Sequence, residues 1–376
     1  MKKIQMVDLK SQYDRIKDTV NASIQEVLDT NTYINGPQVQ QFQKSLEDYL
    51  DVKHVIPCAN GTDALQIAMM GLDLKPGDEV ITADFTFAAT VKIIALLQLT
   101  PVLVDVDMYN MNISIEGIKK AITPKTKAIV PVHLFGRAAN MEAIMAIAKE
   151  HNLYVIEDNA QAIGANCKFS DGTKKKAGTI GHVGATSFFP SKNLGCYGDG
   201  GAIFTNDDTL AHKLRGIVNH GMYERYHHDV VGVNSRLDSI QAAVLNAKLP
   251  LLDQYNKARQ DAARKYSKVF EGHKNIICPA ICDICDCHVF HQYTLRIIAA
   301  DRNGLMQHLL DKGIPCAIYY PIPLHSQKAY LDARYKEEDF PVTNQLVQEV
   351  LSLPMHTELD DEQIKFITDS ILEFLK

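Results

Sequence analysis

Lys192 stands in a setting that a solvated surface lysine does not need. It lies in SFFPSKNLGCYGDGGAIFTN, residues 187–206, between a Pro-Ser pair and a glycine-rich turn, with aromatic residues upstream and an apolar strand pattern downstream. A lysine amine is a nucleophile only when neutral, and burial or a neighbouring cation brings its pKa down from about 10.4 in solution. Gly195, Gly198, Gly200 and Gly201 let backbone pass close to a bulky planar group. A nucleotide-binding glycine loop is the competing reading. The order here is strand, lysine, glycine turn, strand, with no helix after the glycines and no lysine closing the loop.

Three further segments carry polar residues of matching type. After VIPCAN, the residues Gly61, Thr62 and Asp63 open an amphipathic helix whose free N–H groups form an anion seat, although Thr and Asp also cap helices routinely. Asp158 ends LYVIED and Gln161 follows three residues later. A carboxylate leaving a buried strand needs a cation or several donors; a structural cap and a protonated heterocyclic nitrogen both satisfy it. Ser187 lies five residues before the lysine, and Phe87, leaving EVITADFTF, is placed to stack on a ring. A phosphate seat, a carboxylate for a pyridinium and an amine for an aldehyde are together what pyridoxal 5′-phosphate demands, with Lys192 as the Schiff-base lysine.

The elements that must hold these residues follow from the hydropathy pattern. From about Val55 to Thr205, short β-rich runs alternate with segments apolar at three- and four-residue spacing, such as Leu65, Ala68, Met69 and Leu72. That alternation predicts an α/β fold with a mainly parallel sheet, whose ligands sit beyond the carboxyl ends of the strands. A long helical stretch from about Ser235 to Phe270, marked by Pro250, leads into a region of different rhythm. We expect a large domain over 1–250 and a small α+β domain over 251–376.

Composition narrows the classes. The chain has 376 residues, 46% of them apolar, and a formal net charge of −6 with both signs interspersed, so it offers no basic stripe for nucleic acid. The charged N-terminus does not read as a secretory signal and Phe85–Val104 is interrupted by Lys92 and Pro101, so a cytoplasmic protein off the membrane is expected. Four of the eight cysteines crowd together as Cys278, Cys282, Cys285 and Cys287, near His288 and His291. Their spacing does not reproduce two separated C-x2-C pairs, and an irregular loop with half-buried thiols is expected rather than a metal site.

Along nearly its whole length the chain resembles the fold-type-I sugar aminotransferases of the DegT/DnrJ/EryC1 group, on VDLKSQY, TYINGPQV, CANGTDALQIA, GDEVITADFTFAAT, VIEDNAQAIGA, TSFFPSKNLGCYGDGGAIFTND, RLDSIQAAVL and YYPIPLH. Within the group it is similar to members that aminate a UDP-linked 2-acetamido-3-oxo-glucuronate for surface polysaccharides, through RYHH followed by VGVNSRLD, and through SLPMH. The resemblance implies pyridoxal phosphate, L-glutamate as donor, a nucleotide-linked keto sugar as acceptor and ping-pong kinetics. It implies that Lys192 carries the cofactor and the proton, Asp158 pairs with the ring nitrogen, Gln161 contacts the ring oxygen side, Gly61, Thr62 and Ser187 hold the phosphate, and Phe87 stacks. Asn234 is implied to reach the cofactor phosphate of a neighbouring subunit, hence a homodimer with shared sites. Tyr33, Ser191, Arg236, Tyr319 and Tyr320 match positions facing the sugar, with a tyrosine at 319 where a histidine is expected. Arg236, Arg225 and the His227–His228 pair are candidates for a uronate carboxylate. Other UDP- or dTDP-linked 3- or 4-keto sugars stay open, as does a non-catalytic regulatory binder; a dehydratase of the group has histidine in place of this lysine.

Overall fold

A computed structural model describes residues 2–281 and 287–376. In it, strands β1 (His54–Cys58), β2 (Glu79–Ala83), β3 (Thr100–Val104), β4 (Thr126–Val130), β5 (Tyr154–Asp158), β6 (Val183–Ser187) and β7 (Gly201–Thr205) form one sheet. Their spatial order is β1-β7-β6-β5-β4-β2-β3. The pairs β2–β3, β2–β4, β4–β5 and β5–β6 are parallel, and β7 runs antiparallel between β6 and β1. The expected α/β class with a mainly parallel sheet is what the chain forms.

The apolar strands are continuous because both faces are covered. Successive side chains point to opposite faces of a strand. Thus Ile81, Ile129 and Val155 enter one core with the helices Ile115–Ala121 and Met141–His151. Their neighbours Val80, Ala128, Val130 and Ile156 enter the other, against the helices Gly61–Gly71, Ala89–Leu96 and Asp208–Ile217.

The helical stretch expected from Ser235 to Phe270 is broken. It resolves into helices Ser239–Lys248 and Leu252–Phe270 around a 3-10 turn at Leu249–Leu251, with Pro250 at the start of that turn where its missing N–H costs no bond. Residues 235–238 lie before the first of these helices. The chain then builds a three-stranded antiparallel sheet from β8 (Ile276–Ile277), β9 (Tyr293–Ile297) and β10 (Val350–Leu353). A separate core of Tyr266, Phe270, Tyr293, Leu295, Ile367 and Ile371 underlies it, and Ile4 from the N-terminus joins that core. Among the described residues no helix is long and apolar enough to cross a membrane.

Candidate active site

The carboxyl ends of β1 and β6 meet the start of β7, since Cys58 and Ser187 both pair with Gly201, and β5 ends beside β6 with Asp158 opposite Ala185. Asn60, leaving β1, accepts the N–H of Asp63 at 2.8 Å and so caps the helix Gly61–Gly71. The cap is Asn60, not the Thr62 or Asp63 that routine capping suggested, which leaves the Thr62 hydroxyl out of the capping bond. A side chain on Gly61 would start 2.6 Å from Ser187 Cβ, and one on Gly201 would start 2.4 Å from the Asn60 carbonyl carbon. Both glycines therefore allow three strand ends to close around one helix N-terminus, an anion seat by its free N–H groups and its dipole. Ser187 Oγ lies at this seat and accepts the N–H of Phe189 at 3.2 Å.

Asp158 closes β5 and is buried. Its carboxylate accepts two neutral donors, the Thr90 hydroxyl at 2.7 Å and the Ala160 N–H at 3.2 Å. No ion pair to it forms among the described residues, so lone pairs stay open for a cation in a place where desolvation makes one valuable. Gln161 spends its carboxamide on the protein: its oxygen accepts the Phe135 N–H at 2.7 Å and its nitrogen donates to Tyr320 Oη at 3.1 Å.

Lys192 is half-buried, on a loop tied back by its own N–H to the Phe189 carbonyl at 2.8 Å. Desolvation draws its amine down to about 8, with the Asp158 carboxylate pulling the other way. The neutral, nucleophilic form is thus within reach near neutral pH. His291, which the sequence grouped with the cysteines, lies close enough for Lys192 to act on it; burial first, then Lys192 and Arg259, hold its imidazole neutral. Next along the loop, Asn193 Nδ2 donates to Asn256 Oδ1 at 2.7 Å and to the Val289 carbonyl at 2.9 Å, fixing the loop to the helix Leu252–Phe270 and to the segment at Val289.

An aromatic wall faces these groups. Phe87 is 58% exposed, and its ring centroid lies 6.2 Å from that of Tyr320. Tyr320 also stacks on Phe135 at 6.3 Å and 17°. Tyr319 and Ser191 are half-buried. The structure therefore brings Gly61 against Ser187, Lys192 within reach of Asp158, and Gln161 and Phe87 onto Tyr320, with Thr62, Ser191 and Tyr319 beside them in the chain.

Tyr33 lies against the segment that carries Asn234 and the half-buried Arg236. Ser239 N–H donates to the Tyr33 carbonyl at 2.9 Å and Ile34 bridges to Asp238, while the Tyr33 hydroxyl donates to Asn31 Oδ1 at 3.0 Å. Asn234 is exposed, one residue from Ser235, whose Oγ accepts the Ala59 N–H at 3.1 Å beside the anion seat. Arg225 lies over the Tyr226 ring at 4.9 Å on an exposed hairpin with His227 and His228. Cys278 remains a half-buried thiol, Cys287 is disulfide-bonded rather than the thiol expected, and Cys282 and Cys285 lie outside the described residues.

The sequence matches the DegT/DnrJ/EryC1/StrS aminotransferase family over residues 14–372. The chain belongs to this family. A Pseudomonas aeruginosa relative named UDP-2-acetamido-2-deoxy-3-oxo-D-glucuronate aminotransferase is 46% identical over 364 residues, covering 97% of this chain and 98% of its own. A Geobacillus stearothermophilus relative named pleiotropic regulatory protein is 44% identical over 375 residues, 99% of both chains. Among solved structures, NtdA from Bacillus subtilis with bound cofactor PMP superposes with a TM-score of 0.89 at 29% identity, covering 100% of this chain and 86% of that one. In this aminotransferase, Thr90 beside Asp158, Asn60 at the cap of the helix Gly61–Gly71 and His291 near Lys192 are neighbours of the candidate site to which sequence reasoning gave no part in it. Thr90 ends the FTFAAT motif, so a strand-exit hydroxyl was the available signal; His291 carried none beyond its proximity to cysteines.

Proposed function

We propose that the chain is a pyridoxal 5′-phosphate-dependent sugar aminotransferase that moves the amino group of L-glutamate onto a nucleotide-linked 3-keto sugar of the UDP-2-acetamido-3-oxo-glucuronate type, for surface polysaccharides. The observation that carries this reading is the pairing of a half-buried lysine drawn down to about 8 with a buried carboxylate that accepts from two neutral donors, the Thr90 hydroxyl and the Ala160 N–H. A protonated pyridine nitrogen is the cation that Asp158 lacks. The helix start at Gly61 beside Ser187, crowded against any side chain on Gly61 or Gly201, fits a phosphate dianion.

When bound, the cofactor supplies an electron sink for the pair left at the amino-bearing carbon. The protein's residues do the rest. Asp158 would hold the ring nitrogen in its protonated form through a charge-assisted hydrogen bond. Lys192 Nζ would hold the cofactor at its aldehyde carbon, and as a free amine it would carry the proton that leaves the donor's α-carbon. Gly61, Thr62 and Ser187 would seat the phosphate and Phe87 would cover a ring face, while Gln161 fixes the Tyr320 hydroxyl. Ser191, Tyr319 and Tyr320 line the acceptor side with Tyr33 and Arg236, and a bidentate Arg236 suits a uronate carboxylate.

The exposure of Asn234 and Tyr33 supports a homodimer in which each copy completes the other's site. The 46% relative supports the uronate sugar, and the absence of any basic stripe supports a small-molecule acceptor. Borohydride reduction of the loaded protein followed by peptide mapping tests the reading: the adduct is expected on Lys192, and an adduct on another lysine would sink it. Exposing the amino form of the cofactor on the protein to a panel of nucleotide keto sugars then identifies the acceptor. A regulatory binder is the second reading, favoured by the name of the 44% relative. Glutamate separates the two, because only a catalyst loses its visible cofactor band on adding it.

A further inference from the structure

Behind the aromatic wall lie two buried polar side chains that the chemistry above does not use. β2 ends at Ala83, and Asp84 directly after it has 0% exposure. Asp84 Oδ1 accepts the His325 backbone N–H at 2.7 Å, and Oδ2 accepts from His325 Nδ1 at 2.7 Å, across 241 residues of chain. The Asp84 carbonyl also accepts the Leu324 N–H at 3.3 Å. His325 is buried, stacks on Phe340 at 4.4 Å and 8°, and its Nε2 has no partner among the described residues.

A histidine bonded to an aspartate can be read as a proton-transfer dyad. Here the free nitrogen is buried beside Phe340, so it has no reacting atom to serve. The pair is a tie instead. A buried carboxylate costs desolvation that an apolar contact avoids, and what it gives in return is direction, because short bonds fix distance and angle where apolar packing allows sliding.

What the tie fixes is legible from its two ends. Phe85 and Phe87 follow Asp84 at once, while Tyr319 and Tyr320 precede His325 by a single short turn. The Tyr320 ring lies 6.1 Å from Phe85 and 6.2 Å from Phe87. The exit of β2 thus carries one side of the wall, the 319–325 segment carries the other, and Asp84 with His325 joins them. We propose that Asp84 and His325 are positioning residues that set the Tyr320 ring against Phe87 and thereby the width of the acceptor side of the site. The substrate part of this inference rests on the aminotransferase reading.

The test begins with apoprotein labelled with 3-fluorotyrosine, in which the Tyr320 fluorine resonance is identified by its loss in Tyr320→Phe. The resonance is expected to move in His325→Ala and to return in His325→Asn, whose amide nitrogen falls near the place of Nδ1. Asp84→Asn, of equal size, gives the same answer if His325→Ala does not fold. In loaded enzyme, His325→Ala is expected to raise the KM for the keto sugar about tenfold, the scale of one lost buried hydrogen bond, and to leave the glutamate half-reaction within about twofold. In a Tyr320→Ala background the same change should add little, since no ring is left to place. An unmoved Tyr320 resonance in a folded variant overturns the proposal, as does full additivity with Tyr320→Ala. A wild-type protein that transaminates no keto sugar defeats the functional reading instead, and the fluorine result still decides the tie.

Discussion

His133 Nε2 donates to Glu157 Oε2 at 2.9 Å, with both side chains fully buried, one residue before Asp158. The Ala139 N–H donates to His133 Nδ1 at 3.0 Å, which puts the ring proton on Nε2. Glu157 also accepts the N–H groups of Gly178 at 2.8 Å and of Ile180 and Gly181 at 2.6 Å each. An amide in its place would set donors against donors. Glu157→Gln is expected to destabilise the fold by on the order of 3 kcal/mol, read as a lower urea midpoint at unchanged slope. Because the His133 N–H holds the Asp158 carbonyl at 3.0 Å, cofactor affinity should fall with it.

Replacing Lys192 with alanine is expected to cut turnover by about a thousandfold or more and to remove the visible band of the lysine-bound cofactor. The pH dependence gives a finer check. An amine drawn down to about 8 becomes fully neutral above that pH, so the rate at which apoprotein captures pyridoxal phosphate should climb to about pH 8 and then level off. A rate still climbing near pH 10 marks an unperturbed lysine and contradicts the site.

The sheet and the strand-exit residues were legible in the sequence for a physical reason. Parallel strands covered on both faces read as apolar runs, and a polar residue ending such a run has to be answered by something. Lys192 and Asp158 stand out on that ground. Asn60 did not, since three neighbouring polar residues compete to cap one helix and only the extended backbone at Asn60 decides among them. Nor did His325, Asn256 and His291: each meets its partner across a long stretch of chain, and pairing at that range leaves no local periodicity. Glu157 was hidden by its neighbour, because a Glu-Asp pair at a strand end looks like one polar exit although the two side chains point to opposite faces.

Lys248 has 1% exposure, donates to the Gly195 carbonyl at 2.7 Å and lies over the Tyr197 ring at 4.4 Å, bracing the loop that bears Lys192. Burial draws its amine from 10.5 down to about 8. The folded value is the lower one, so between about 8 and 10.5 the unfolded chain holds more protons at this position, and its contribution to stability rises with pH across that window. Below the window the full cost of burying the charge applies. The urea midpoint of wild type minus that of Lys248→Met is therefore expected to grow from about pH 8 upward, a difference in which the buried tyrosines and cysteines cancel. A flat difference means that the amine is not desolvated in solution.

The proposed sharing of sites between two subunits makes a prediction that no single-chain defect can imitate. Lys192→Ala leaves a subunit without its amine, and on the proposed arrangement Asn234→Ala leaves one that cannot complete its neighbour's anion seat. Each homodimer is expected to be inactive or nearly so. In a mixed dimer the two lesions fall together in one site and the other site is intact, so random reassortment, with about half of the dimers mixed and one good site in each, should restore about a quarter of wild-type activity. Native mass spectrometry reports the mixed species directly. Mixed dimers present without recovered activity would show that Asn234 serves its own chain, and the exposed edge that carries it would then need another account.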